Sequence, residues 1–167
     1  MKDTTTVKVL PTETYFALVR QTLSQNKRAF IQVTGMSMWP LLYHIRDGVE
    51  IIPPEHLKAG DIVLYDRRNG RYALHRIIHK GKDSFTMAGD HQWHMEKGLS
   101  YDQIVGVVDM IYRDGKKISA DDWLIKMYSG FVIMLAYPRI YGYQFLRKCM
   151  KVLHRGGKIR KEQSHEN

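Results

Sequence analysis

One cysteine, Cys149, stands in 167 residues, which excludes an internal disulfide framework and a cysteine-based zinc site. Its neighbours Leu146, Arg147 and Lys148 mark it as a passive helix residue. Acidic side chains are missing from residues 123–161, where nine lysines and arginines fall, whereas residues 1–122 hold 17 basic and 15 acidic ones. The net charge of +9 is therefore a C-terminal feature and says little about the rest of the chain. No apolar run reaches the ~20 residues of a bilayer-spanning helix. The polar opening, with Lys2, Asp3 and three threonines, predicts no secretory signal peptide. Internal repeats are absent too. What remains is an ordinary globular composition, long enough for one domain with a proper core.

Helical spacing of Tyr15, Phe16, Val19 and Leu23 predicts an amphipathic helix over 12–28, with Thr12 as its N-cap. Short apolar runs follow at close intervals: Ala29–Val33, Val49–Ile52, Ile62–Tyr65, 71–79, Ser84–Met87 and 104–112. Asn69-Gly70 and Asp114-Gly115 read as tight hairpin turns. In the run 71–79, Ala73, His75 and Ile77 share one face, and Tyr72, Leu74, Arg76 and Ile78 the other. Residues 1–118 thus read as one helix and a coiled, mostly antiparallel β-domain, an α+β chain dominated by strands. Ser119 to Asp122 resembles a capping box opening a helix at Trp123, which Pro138 should stop. A second, basic helix from Arg139 to about His154, closed by Gly156-Gly157, completes a helical extension over 119–157, with 158–167 as a disordered tail.

Three polar residues are placed where chemistry needs them. Ser37 lies in Gly35-Met36-Ser37-Met38-Trp39-Pro40, where Gly35 lets the backbone turn and Pro40 fixes the exit. A serine at such a corner can present its hydroxyl and keep its backbone N–H free, as a nucleophile with an oxyanion hole requires. His75 lies inside a strand, and Asp90 follows one. A histidine can take the serine proton near neutral pH, and a carboxylate can orient the ring. Periodicity alone does not bring the three together. His91 and His94 beside Asp90 and Glu96 have no recognised zinc spacing, and that segment reads as a polar loop, so no metal or cofactor is expected.

The stretches Gly35–Pro40, Leu57–Val63, Leu74-His75-Arg76-Ile77, Ala88-Gly89-Asp90 and Val105–Val108 resemble, in order, the boxes of the signal peptidase I clan, which also holds the LexA-type self-cleaving repressors. The resemblance covers about residues 30–113. It is closest to the Ser-His signal peptidases of endoplasmic-reticulum, archaeal and sporulation type, since His75 stands where other members carry a lysine. It implies the clan's coiled β-domain, with Ser37 as nucleophile, His75 as general base and Asp90 as the acidic partner. Gly35 takes the place of a hydroxyl residue that helps the oxyanion hole in some members, which leaves the Ser37 N–H to form it. Those enzymes carry further aspartates after the Gly-Asp box. Here the nearest acids are Glu96 and Asp102, and the resemblance assigns a role to neither. A membrane anchor and a helix-turn-helix domain are not expected in residues 1–28, and the latter argues against a repressor.

The implied activity is a serine endopeptidase that cleaves a leader or signal-type peptide bound in extended form, on the cytoplasmic side. Two other readings stay open: a non-catalytic peptide-binding or regulatory module on the same fold, and a self-cleaving regulator. For the last, the Ala59-Gly60 and Ala88-Gly89 bonds lie inside the boxes and make poor sites. Residues 123–158 carry an apolar, aromatic stretch followed by cations, which fits either a helix packed on the domain or a peripheral contact with the inner face of a membrane. Nucleic-acid binding lacks a reading motif to accompany the charge.

Overall fold

The computed structural model describes residues 11–162, and side chains over residues 11–150. The opening segment and the last five residues of the expected tail lie outside the described residues. The chain runs α1 (Thr12–Ser24), β1 (Ala29–Gln32), β2 (Gly48–Ile52), β3 (Ile62–Asp66), β4 (Tyr72–Lys80), β5 (Phe85–Ala88), β6 (Glu96–Leu99), β7 (Ile104–Arg113), β8 (Lys116–Ser119) and α2 (Trp123–Glu162). The eight strands form one antiparallel sheet in the order β1-β2-β7-β3-β4-β5-β6, with β8 added to β7. This is a mostly β, α+β architecture with a helix at each end.

Local chemistry accounts for most element ends. Asp114 and Gly115 both have positive φ (49° and 74°), so β7 and β8 join in the two-residue turn their sequence predicts. The β3–β4 loop differs from the expected Asn69-Gly70 turn. Positive φ falls on Arg68 and Gly70, the Asn69 Oδ1 accepts the Arg71 N–H at 3.1 Å, and Arg67 N–H to Arg71 O closes a longer loop. Thr12 is the first helical residue of α1 rather than its cap; Pro11 precedes it, and the Pro11 carbonyl accepts the Tyr15 N–H. At α2 the capping oxygen belongs to Asp122, whose Oδ1 accepts the Leu124 N–H at 2.9 Å.

The two expected C-terminal helices are one. Pro138 lies inside α2, which runs through Gly156-Gly157 to Glu162. Proline removes one N–H and leaves the carbonyl four residues back without its partner. Here Pro138 and Met134 both lie on the exposed side of the helix. Val132, Ala136 and Ile140, spaced by four, hold the inner face down on either side of the proline.

The core has three parts. Val19 and Leu23 of α1 join Val49, Ile51, Leu64 and Val108. Val63, Tyr65, Ile77, Phe85 and Met87 form a second cluster across β3–β5. Ala136 and Ile140 of α2 pack on Ile78 and Ala88. The alternation of β4 divides these: His75 and Ile77 face the Tyr65 side, whereas Arg76 and Ile78 face α2.

Candidate active site

Ser37 sits in the turn 37–41 that follows β1, half-buried, after Gly35 at φ +88° and before a cis Trp39–Pro40 bond. Two contacts seat this turn. The Ser37 carbonyl accepts the His91 N–H at 2.9 Å, and Gly89 lies so close that a Cβ there would come within 2.5 Å of the same oxygen. The Gly35 N–H donates to His44 Nδ1 at 2.9 Å. Deeper in the loop, Asp47 is fully buried and accepts from the Tyr43 N–H, Arg46 and Arg113. Burial pushes the Asp47 carboxyl up, but these donors outweigh it and hold the pKa down at about 2. Asp47 therefore braces the loop as a carboxylate at any ordinary pH.

Ser37 and His75 both line one cleft of about 660 Å³. Among the described residues neither the Ser37 hydroxyl nor its backbone N–H forms a hydrogen bond, and no Ser37–His75 bond is made. One wall of the cleft is the stretch Ile31–Gly35 and the other includes Tyr72–His75. Among the described residues each wall carries a strand edge paired on one side only: β1 pairs with β2 alone, and the β4–β5 pairing starts at Arg76. Thr12, Tyr15 and Phe16 of α1 close one end, with Phe16 stacked on Tyr72 at 3.8 Å. Gln92 also lines the cleft, a residue that no sequence signal distinguished.

His75 is 1% exposed. Its Nδ1 lies 2.8 Å from the Tyr65 hydroxyl and 3.5 Å from Glu96 Oε1. Glu96 is in turn held by Arg67, which donates from Nε at 3.0 Å and from Nη2. Burial pushes the His75 imidazole down to about 4; the Glu96 carboxylate works against this, and Arg67 and His94 add to it. The ring is therefore neutral at pH 7, and an uncharged imidazole is the form that accepts a proton. Burial first, then the hydrogen bond to Glu96 and its charge, keeps the Tyr65 phenol protonated well above its ordinary range. Burial also pushes the Glu96 carboxyl up, but Arg67 and Tyr65 outweigh it, so Glu96 is held below its ordinary value and stays ionised.

Asp90 is not where the expected triad needs it. Both its oxygens accept from Arg76, Nε at 2.9 Å and Nη2 at 2.7 Å, and both side chains are sealed from solvent. Arg76 alternates with His75 along β4 and points to the opposite face, toward Gly60 O and Ser129 Oγ on the α2 side. Asp90 thus joins the β4 box to the Gly89 turn beneath Ser37, and Glu96 is the carboxylate beside the histidine. The segment 91–95 around His94 is the irregular loop its sequence predicts, and β6 begins at its end, pairing Glu96 with Met87 of β5 and so carrying Glu96 to His75. Asp102 is exposed and paired with Arg68, outside the cleft lining. Among the described residues no three His, Cys, Asp or Glu side chains gather to hold a metal ion. Compared with protein-family models, curated proteins and solved structures, the chain matches none, so its own geometry carries the functional reading.

Proposed function

We propose that the chain is a serine endopeptidase of the Ser-His signal-peptidase type, with Ser37 as nucleophile and His75 as general base. One observation carries the reading: an unbonded serine and a neutral histidine line a single cleft bordered by two half-paired strand edges. An extended peptide adds to such edges through its backbone, which brings a scissile carbonyl to Ser37. His75 takes the hydroxyl proton as Ser37 Oγ bonds to the carbonyl carbon. The Ser37 N–H donates to the oxyanion, and His75 returns the proton to the leaving amine. Water then attacks the acyl-enzyme by the same route, releasing the second product and restoring Ser37.

Glu96 completes the unit in the role that the resemblance gives to Asp90. An ionised carboxylate only accepts, so its approach to Nδ1 favours the tautomer with the proton on Nδ1 and the lone pair on Nε2. Tyr65 fits the same tautomer by accepting from Nδ1. The test is digestion of a mixed peptide library by the full chain, read by mass spectrometry beside Ser37→Ala and His75→Ala. Cleavage products that vanish in both variants are expected. A library left intact, or one cut equally by Ser37→Ala, would leave the non-catalytic peptide-binding module as the better reading. The intact mass of the incubated chain, read in parallel, detects self-cleavage.

A further inference from the structure

α2 is apolar on two opposite sides, but the sheet covers only one of them. While Val132, Ala136 and Ile140 are buried, Trp123, Met127, Phe131, Met134, Tyr141 and Phe145 on the other side are 67, 61, 56, 64, 46 and 67% exposed. From Trp123 to Phe145 the uncovered stripe is roughly 33 Å long at 1.5 Å per residue. A soluble surface helix carries polar residues there. Beside the stripe, α2 and the loops at Trp39 and Trp93 enclose a mainly apolar groove of about 460 Å³ whose walls include Phe131 and Leu135. Trp93 packs against Tyr143 with ring centres 4.8 Å apart, and Trp39 meets His91 edge-to-face at 5.1 Å. The three tryptophans of the chain are thus all exposed and border this continuous surface.

We propose that this surface, the outer stripe of α2 continued across the groove to Trp93 and Trp39, docks on an anionic lipid bilayer. The charge selects the occupant. Residues 123–161 carry nine cations and no acid, with Arg147 and Lys148 exposed directly after the stripe. Residues 123–161 of a second copy would offer those cations no acid to pair with, whereas anionic headgroups neutralise them. Tryptophan and tyrosine favour the boundary between headgroups and acyl chains, with one end apolar and the other wet. Among the described residues no helix is long and apolar enough to cross a membrane, so the stripe lies along the surface. Met36 and Trp39, both exposed, flank Ser37 in its turn, so docking holds the cleft beside the headgroup layer.

The test is flotation of the full chain with phosphatidylcholine vesicles, with and without phosphatidylglycerol, beside a Met127→Ser, Phe131→Ser, Met134→Ser triple variant. These side chains point outward, and far-UV circular dichroism checks that the variant folds. Expected are binding to the anionic vesicles, weaker binding to the neutral ones, and an affinity loss on the order of a hundredfold in the variant. Brominated lipid should quench the tryptophan fluorescence of the native chain. Ser37→Ala should bind unchanged, which separates this proposal from the peptidase reading. Three outcomes overturn it: native chain that does not float with anionic vesicles, a triple variant that binds as tightly as the native chain, or a dimer that the variant abolishes while no vesicle is bound.

Discussion

Asp90 accepts two hydrogen bonds from the guanidinium of Arg76, at 2.9 and 2.7 Å, with both side chains sealed from water. Each charge is tolerable there only because of the other. Removing the carboxylate alone strands a buried cation, so Asp90→Ala is expected to lower unfolding free energy by about 3–5 kcal/mol. Joining it with Arg76→Met removes both charges and should recover much of the loss. Urea denaturation of the two single variants and the double variant reads the coupling. Additive losses would mean that the pair is not a unit.

On the proposed peptidase reading, a different carboxylate should govern turnover. Glu96 is 3.5 Å from His75 Nδ1, whereas Asp90 faces the other side of β4. Glu96→Gln keeps the shape but can donate to Nδ1 and so favour the wrong tautomer; kcat for peptide cleavage should fall on the order of a hundredfold or more. Asp90→Asn should act mainly on stability, with a smaller change in kcat once folded enzyme is counted. The opposite ranking would return the acid role to Asp90.

The features legible in the sequence are those set by nearby residues. Gly35 and Pro40 mark the Ser37 corner, Asp114-Gly115 marks its hairpin, and alternation along 71–79 already puts His75 and Arg76 on opposite faces. That alternation gives the face of each side chain, not its partner, so it does not assign Asp90 to Arg76. β6 escaped because Glu96-Lys97-Gly98-Leu99 has no apolar alternation and few strand-forming residues; its pairing with β5 makes it a strand. Glu96 was invisible as a partner of His75 for that reason. Pro138 reads as a helix stop by a local rule that packing on both sides of it overrides.

His75 also makes stability depend on pH with a definite sign. Its folded pKa of about 4 lies below the ordinary 6.5. Between those values the unfolded chain takes the proton and the folded chain does not, so stability falls as pH falls through the window. The full effect is about 3 kcal/mol, complete below the folded value and absent above the unfolded one. Unfolding free energy measured across the window should lose this slope in His75→Gln. An unchanged slope would assign the dependence to other groups.

Arg67 helps set how readily the His75 ring takes up a proton. Arg67 and Glu96 form a close pair whose charges cancel, so a proton arriving on the buried ring gains little from the carboxylate. Arg67 also opposes the proton directly, in the same sense as burial. Arg67→Met keeps an apolar stem in place of the arginine's methylenes and removes the cation. Glu96 is then left without its main partner, with the imidazole 3.5 Å away. The His75 pKa should therefore rise from about 4 toward the ordinary 6.5, which nuclear magnetic resonance titration of the ring reads directly. If His75 serves Ser37 as proposed, the acid limb of the cleavage profile should move up in pH with it, because the base must be neutral to accept the serine proton. At neutral pH the stronger base should transfer the proton more readily, so kcat should hold or rise while activity at low pH drops. A ring that titrates at its native value in Arg67→Met would leave burial alone in control of the base.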